Sequence, residues 1–182
     1  MALHDLTLTY GGLSVTFRNW RSADLPRSRR TFVTESTYAV SGNLIKSGTS
    51  FELPYIWTIA ADLYQTEYDK IIAMWEGLDY YRRLGRTTNG LIFVTIDDHT
   101  EEIFEWGKTS ATKTRSAVAG TTPREANGGV YYYPRFLVDW VAPPELGQAY
   151  SSVKLSPNNS VRADQVLVRA TALVLQDTGV KI

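Results

Sequence analysis

The sequence predicts a mostly β fold of the α+β class, a β-barrel or sandwich with one flanking amphipathic helix and long loops between its strands. Along much of the chain every second residue is apolar, which is the period of a β-strand. Only residues 66–81 place apolar side chains at helical steps of three and four. Glycine, asparagine and proline separate these runs, as turns require. A chain of 182 residues with 43% hydrophobic content can bury one core. We therefore expect residues 1–182 to form a single β-rich domain.

The first predicted elements are two strands joined by a tight turn. Residues 5–10 and 13–17 alternate on either side of Gly11-Gly12, and glycine reaches the positive φ that a two-residue hairpin needs. Residues 18–30 break this pattern and contain five arginines. We expect them to form an exposed basic arm.

A second hairpin is predicted after the arm. Residues 31–40 are rich in Thr, Val and Tyr and favour a strand, whereas 41–50 hold two turn-prone clusters and predict a flexible loop at the tip. Residues 51–60 again favour β structure and lead to the helix. Pro54 suits a strand start or an edge, because it has no N–H to give to a ladder.

The helix is the strongest single signal. Thr66 is the expected N-cap, and Glu67 and Asp69 follow in the first turn, where carboxylates meet the positive end of the helix dipole. Arginines near the far end suit the opposite pole, and Gly85 is placed to stop the helix. The apolar face predicted to pack on a sheet consists of Tyr68, Ile71, Ile72, Trp75, Leu78 and Tyr81.

The second half of the chain predicts a third hairpin, two long loops and a closing strand. Residues 91–96 are the clearest strand, and 97–100 turn it into the acidic return strand 101–106. Residues 107–129 and 145–162 are polar and predict loops, and we expect the first to be mobile or ordered by a partner. Residues 130–141 favour a strand pair or one bent strand, and 165–175 favour the closing strand.

Composition excludes several classes of function. Lys plus Arg and Asp plus Glu both total 19, so the zero formal net charge removes the general electrostatic reason for binding nucleic acid or an anionic membrane. With 0 cysteines there is no disulfide framework, thiolate metal site or cysteine nucleophile. No run of about 18 apolar residues and no signal-peptide pattern occurs. We expect a soluble protein made in the cytoplasm.

The sequence offers little covalent chemistry, and we predict no enzyme, no cofactor and no metal. His4 and His99 are the only histidines, and no phosphate-binding loop or metalloprotease motif occurs. The best catalytic candidates are clustered carboxylates, which can act as acid and base or bind a hard cation. A solvated hairpin is the more common role for such a charge run. The cluster consists of Asp97, Asp98, Glu101, Glu102 and Glu105.

Aromatic residues form a second candidate group. Tyr131, Tyr132, Tyr133 and Trp140 could build a stacking platform for sugar or single-stranded nucleic acid. Alternating aromatics in a strand more often pack in the core on one side and contact a subunit on the other, so we favour that interpretation.

The basic arm and the acidic cluster suggest contacts between copies of the chain. Arginines of residues 18–30 could bind a neighbour's carboxylates and set the register between subunits, or they could remain solvated. We also expect that Asp97, Asp98 and Glu101 do not all face a core. The predicted subunit-interface residues are Arg18, Arg21, Arg27, Arg29, Arg30, Asp97, Asp98, Glu101, Tyr131 and Tyr133.

The order of these elements resembles a known group of proteins. The strands, then Pro54-Tyr55-Ile56-Trp57, the helix with Tyr68-Asp69-Lys70-Ile71-Ile72-Ala73-Met74-Trp75, the 91–106 hairpin and the closing strand follow one another. This order is similar to that of tail-tube, distal-tail and baseplate-hub proteins of long-tailed bacteriophages. The resemblance covers residues 51–141 best and rests on pattern and order.

The resemblance implies a structural protein of the virion, made in the host cytoplasm. Members of that family assemble into rings, commonly sixfold, around a channel through which DNA only passes, and they contact other tail or baseplate proteins and no membrane. It places neighbour contacts on loops 41–50 and 107–129 and carries over no catalytic residue. Two alternatives remain open: a carbohydrate-binding β-sandwich, which needs an exposed aromatic row, and a small hydrolase, which needs two carboxylates converging in a cleft.

Overall fold

The predicted fold class is confirmed: the chain is mostly β with one helix, and a curled antiparallel sheet forms a half-barrel. The computed structural model describes residues 5–18, 26–28, 32–38, 40–41, 44–52, 54–85, 93–154 and 164–180. The described elements are β1 (Leu6–Tyr10), β2 (Leu13–Phe17), β3 (Phe32–Tyr38), β4 (Leu44–Glu52), β5 (Ile56–Tyr64), α1 (Gln65–Arg83), β6 (Val94–Asp98), β7 (Ile103–Trp106), β8 (Arg124–Ala126), β9 (Gly129–Tyr132), β10 (Arg135–Trp140), β11 (Glu145–Lys154) and β12 (Asp164–Asp177).

The half-barrel contains seven strands, and the longest of them, β12, pairs with three other strands at one end of the sheet. The strand order from the other end is β2, β1, β6, β10 and β12. One edge of β12 pairs with β5, and the opposite edge pairs first with β11 and then, near its carboxyl end, with β10. β10 and β11 therefore lie one after the other along the same edge of β12.

The core lies between the half-barrel and the helix. Strand side chains that alternate inward are completely buried, among them Leu8, Trp57 and Phe136. Trp57 and Phe136 meet edge to face, with ring centroids 4.8 Å apart. The helix covers this surface with Tyr68, Ile71, Met74 and Leu78, all of which are buried.

The predicted helix is confirmed, with corrections at its start and on its face. It begins at Gln65 with Tyr64 as N-cap, so Thr66 is not the cap; the Glu67 carboxylate accepts a hydrogen bond from the Tyr64 N–H at 3.3 Å. Met74 belongs to the fully buried face, while Trp75 is only partly buried. Gly85 stands just past the end with φ +60°, and its N–H donates to the Arg82 carbonyl.

Two of the predicted hairpins are confirmed, and the third is wrong. β1 pairs with β2 around Gly11-Gly12, both at positive φ, and β3 pairs with β4. β6, however, pairs with β1 and β10, and β7 pairs with β9 in a separate three-stranded sheet. Two long-range partners occupy both edges of β6, so no edge is left for the acidic strand that follows it.

Three predicted loops also need correction. Residues 44–50 belong to strand β4, and the described part of 145–162, residues 145–154, is strand β11. The polar sequences of these strands lack the apolar–polar alternation on which the prediction relied, and the strands form through backbone pairing with β3 and β12. Residues 107–129 are ordered by their own chain: the Val118 N–H donates to the Tyr133 carbonyl, and β8 lies within this stretch. Residues 130–141 do not pair with each other, since β9 and β10 belong to different sheets.

Candidate functional site

A buried ion pair joins residues 26–28 to the connection between β6 and β7. Arg27 is 5% exposed and Asp98 is 0% exposed. The Arg27 Nη1 donates to the Asp98 Oδ2 at 3.0 Å, and the Trp57 Nε1 donates to the same oxygen at 3.0 Å. The other carboxylate oxygen accepts from the Thr100 N–H at 2.8 Å and from its hydroxyl. Both oxygens of the buried carboxylate are therefore satisfied within the chain.

The backbone explains how Arg27 reaches this position. Residues 26–28 lie along the edge of β5 opposite β12, where the Ser28 N–H donates to the Ile56 carbonyl at 2.7 Å and the Thr58 N–H donates to the Pro26 carbonyl at 2.8 Å. The Arg27 Nη2 also donates to the Glu101 carbonyl at 2.8 Å. The expectation that Arg27 belongs to an exposed arm is wrong, because this short strand addition carries it into the core.

The carboxylates of the predicted acidic cluster separate into different environments. Asp97 accepts two hydrogen bonds from Arg135, its cross-strand neighbour on β10, at 2.5 and 2.7 Å. These bonds raise the pKa of Arg135. Glu101 is partly exposed and approaches Arg27 at 3.7 Å. The expectation that Asp97, Asp98 and Glu101 do not all face a core is confirmed, because Asp97 and Glu101 are partly exposed. Asp98 is buried in the core, so it does not belong to a solvated hairpin.

A second buried network holds residues 107–118 against the half-barrel. Glu105, 8% exposed, accepts hydrogen bonds from the Tyr132 hydroxyl at 2.8 Å and from the Thr114 N–H at 2.7 Å. Burial, followed by the hydrogen bond to Glu105, raises the pKa of Tyr132. Arg115 pairs with Asp177 at 2.5 Å. Sequence reasoning missed this network, yet the alternation of β7 places Glu105 on the same face as Ile103 and could have indicated it.

The tyrosines at 131–133 do not form a shared stacking platform, which is the less favoured of the two interpretations that the sequence allows. Tyr131 lies on the outer face of the three-stranded sheet beside Phe104, with ring centroids 4.6 Å apart, whereas Tyr132 is buried on the inner face. Tyr133 lies near His99, with ring centroids 5.8 Å apart. Trp140 is partly buried against the main core. The outer sheet face has a tryptophan that the sequence argument overlooked, Trp106, which is 76% exposed.

Of the other four arginines predicted to lie in the basic arm, the structure describes one. Arg18 has a side chain that is 70% exposed and lies 3.4 Å from Asp5, so its surface position agrees with the expectation. Arg21, Arg29 and Arg30 lie outside the described residues. Their assignment as subunit contacts stays a prediction.

Within the described ranges, no three His, Asp or Glu side chains come together in a way that could hold a metal ion. Asp98 and Glu105, the two buried acids of the predicted cluster, belong to separate networks and already accept hydrogen bonds from several groups. Over the same part of the chain, no helix has the length and apolar character needed to cross a membrane.

These surfaces define what the molecule presents to its surroundings. The charged networks act inside the chain, while the outer face of the three-stranded sheet exposes Trp106 and the outer edge of β2 has no described strand as a partner. Comparisons of the chain with protein-family models, with curated proteins and with solved structures found no match.

Proposed function

We propose that this chain is a structural protein of a phage virion, a tail or baseplate component of the tube or distal-tail type, which assembles with copies of itself into a ring around a channel. The observation that carries the proposal is a half-barrel with incomplete β-pairing at several places. Each incomplete place offers hydrogen bonds or surface that a second copy can complete.

The outer edge of β2 is the first such place. None of the described strands pairs with this edge, which ends the sheet. Its sequence, Leu-Ser-Val-Thr-Phe, contains no lysine, proline or bulge, although the Lys70 Nζ of the helix lies 3.5 Å from the outward carbonyl oxygen of Ser14. A lysine at one carbonyl covers only part of this edge, so a strand from a second copy can still pair along it.

The two ribbons are the second. β3 and β4 form a two-stranded sheet of their own. Ser151–Lys154 pair with Asp164–Leu167, beyond the residues of β12 that β5 reaches. A two-stranded ribbon is marginally stable in water without a third strand or a packing partner. A neighbouring subunit would supply that partner.

The edge and the ribbons are different surfaces, and this favours a ring. Contact between two unlike surfaces is heterologous, and its repetition closes into a ring when the rotation between copies allows closure. Apolar side chains at the end of the helix and after β10 add surface for such contacts; these are Leu84 and Val141, both exposed. Zero net charge removes general repulsion between copies.

The proposal is tested by measuring mass in solution by light scattering across a concentration series, followed by electron microscopy of any large species. Wild-type protein should form a ring or a concentration-dependent polymer. Ser14→Pro should give monomers, because position 14 directs its N–H away from β1 in a two-residue hairpin, so proline removes only the outward donor. A wild-type protein that stays monomeric at every concentration would contradict self-assembly.

Ser14→Ala is the matched control, since alanine keeps the N–H and removes only the hydroxyl. It should assemble like the wild type. Circular dichroism and thermal unfolding must show that Ser14→Pro retains the fold. If proline unfolds the hairpin, Ser14→Lys tests the same edge by adding a charge that opposes strand addition. Full assembly of folded Ser14→Pro and Ser14→Lys would show that the β2 edge is not the contact.

A further inference from the structure

The outer face of the three-stranded sheet carries an ordered aromatic row. Phe104, Tyr131 and Arg124 are cross-strand neighbours on β7, β9 and β8. The rings of Phe104 and Tyr131 are 4.6 Å apart, and the guanidinium carbon of Arg124 lies 4.4 Å from the centre of the Tyr131 ring. Trp106, two residues after Phe104 on the same strand, extends the row, with ring centroids 6.3 Å apart.

Two glycines shape this face. A Cβ at Gly129 would lie 2.6 Å from the Phe104 ring, and one at Gly128 would lie 3.2 Å from the Trp106 ring. Because glycine has no Cβ at either position, the rings of Phe104 and Trp106 can lie across the turn between β8 and β9. The indole of Trp106 is thus supported by backbone on one side and remains 76% exposed overall. A large aromatic ring that is held in place and open to solvent is a pre-organised stacking surface.

Polar groups border the rings. The carboxylate of Glu102 lies 3.5 Å from the Arg124 guanidinium, and the Asn127 amide donates to the Tyr131 hydroxyl at 3.1 Å. Glu102 and Phe104 also border a recess of about 160 Å³, which Glu101 and Tyr55 help to line. The face therefore combines the exposed indole of Trp106, which stands at 73° to the Phe104 ring, with hydrogen-bond donors and acceptors at its margin.

We infer that this face binds a neutral oligosaccharide, with one sugar ring stacked on Trp106 and hydroxyl groups bound by Glu102 and Arg124. A pyranose has an apolar C–H face and a polar rim, and an aromatic row edged by charged and amide groups complements both. The carboxylates of Glu101 and Glu102 disfavour a polyanion such as single-stranded nucleic acid. Aromatic residues and arginine are also enriched at protein interfaces, whereas glutamates such as Glu101 and Glu102 are depleted there, so a second copy of the chain is the competing occupant that the test below distinguishes.

The test is a titration of the full chain with cellohexaose, maltohexaose and xylohexaose into the millimolar range, read by tryptophan fluorescence and saturation-transfer NMR, together with a panel of immobilised neutral glycans. At least one probe should bind. Trp106→Ala should weaken that binding by about tenfold or more, because it removes the stacking surface. Trp106→Phe should retain part of it.

Tyr80→Ala is the matched control, since Tyr80 is an aromatic residue 60% exposed on the helix and outside this face. It should bind sugar like the wild type, and circular dichroism should show the same fold for all variants. The proposal is overturned if no neutral glycan binds or if Trp106→Ala and Tyr80→Ala weaken binding equally. It is also overturned if Trp106→Ala changes only the mass of the protein in solution, which would identify the face as a contact between copies. Sugar binding and self-assembly are read separately, so failure of one leaves the other standing.

Discussion

The half-barrel and the ribbons differ in how their polar backbone and side chains are satisfied. In the half-barrel, β1, β6, β10 and β12 have partners on both edges, and the buried charges of Arg27 and Asp98 meet each other. In the ribbons, each paired segment has one described partner: β3 pairs with β4, and Ser151–Lys154 pair with Asp164–Leu167. The inner strands of the half-barrel therefore have their backbone groups paired within the chain, whereas the ribbons and the outer edge of β2 retain unpaired edges among the described strands.

The largest effect should follow from breaking the buried ion pair of the half-barrel. Asp98→Ala removes the acceptor of Arg27 and Trp57 and leaves a cation buried without its partner, which should cost about 3–5 kcal/mol in the free energy of unfolding. Urea unfolding followed by circular dichroism measures this loss. If the variant does not fold, Asp98→Asn keeps an acceptor for Trp57 while still removing the charge.

Asp97→Ala is the control one residue away. Its carboxylate pairs with Arg135 in a partly exposed position, so its loss should cost about 1 kcal/mol or less. Equal destabilisation by Asp97→Ala and Asp98→Ala would contradict the prediction that the more deeply buried carboxylate contributes more to the free energy of unfolding.

An intermediate effect should come from the network that holds residues 107–118. Tyr132→Phe removes a hydroxyl that donates to the buried Glu105 carboxylate, which should cost about 1–3 kcal/mol. The pKa of Tyr132 is raised in the folded protein, so its stabilising contribution is fully present below the unfolded value of about 10 and is lost as pH rises beyond it.

Urea unfolding at a series of pH values from neutral to strongly alkaline measures that dependence. Wild-type stability should fall above about pH 10, and Tyr132→Phe should show a shallower fall. Some decline should remain, because burial also raises the pKa values of Tyr10 and Tyr68. Identical alkaline slopes in the two proteins would exclude Tyr132 as a source of the dependence.

The smallest effect on stability is expected at Arg29 and Arg30, which the sequence assigns to an exposed basic arm. Replacing Arg29 and Arg30 with Glu should leave unfolding nearly unchanged and should weaken assembly at low salt, if these arginines bind a neighbour's carboxylates. Light scattering at low and high ionic strength reads the difference. Replacement of both by Gln is the control for loss of charge without its reversal. Unchanged assembly at low salt would count against this contact.

Local signals made much of the fold predictable. The helix follows from apolar steps of three and four, and the first hairpin follows from Gly11-Gly12, since both depend on residues close in sequence. The prediction of a hairpin over 91–106 was wrong because β6 pairs with β1 and β10, which are distant in sequence. No sequence pattern near residue 98 indicates either pairing. Neighbouring residues alone do not encode such pairings.

The candidate sites were less predictable, for two physical reasons. Asp98 was grouped with exposed acids because a charge run indicates a solvated surface, and its partner Arg27 lies far away in sequence. The aromatic face escaped notice because Trp106 and Tyr131 belong to different strands, and only their pairing through β7 and β9 places them together. Glu105, by contrast, could have been recognised from its inward position in an alternating strand.

The length of β12 has a mechanical consequence. Its fourteen residues run without interruption from the ribbon with β11 into the core beside β5 and β10. A pull along the strand at its Asp164 end would load the Val168–Gln176 ladder to β5 in shear, so those bonds would share the force together instead of opening one at a time. A neighbour bound to the ribbon would therefore be connected to the ladder between β5 and β12 by one continuous strand.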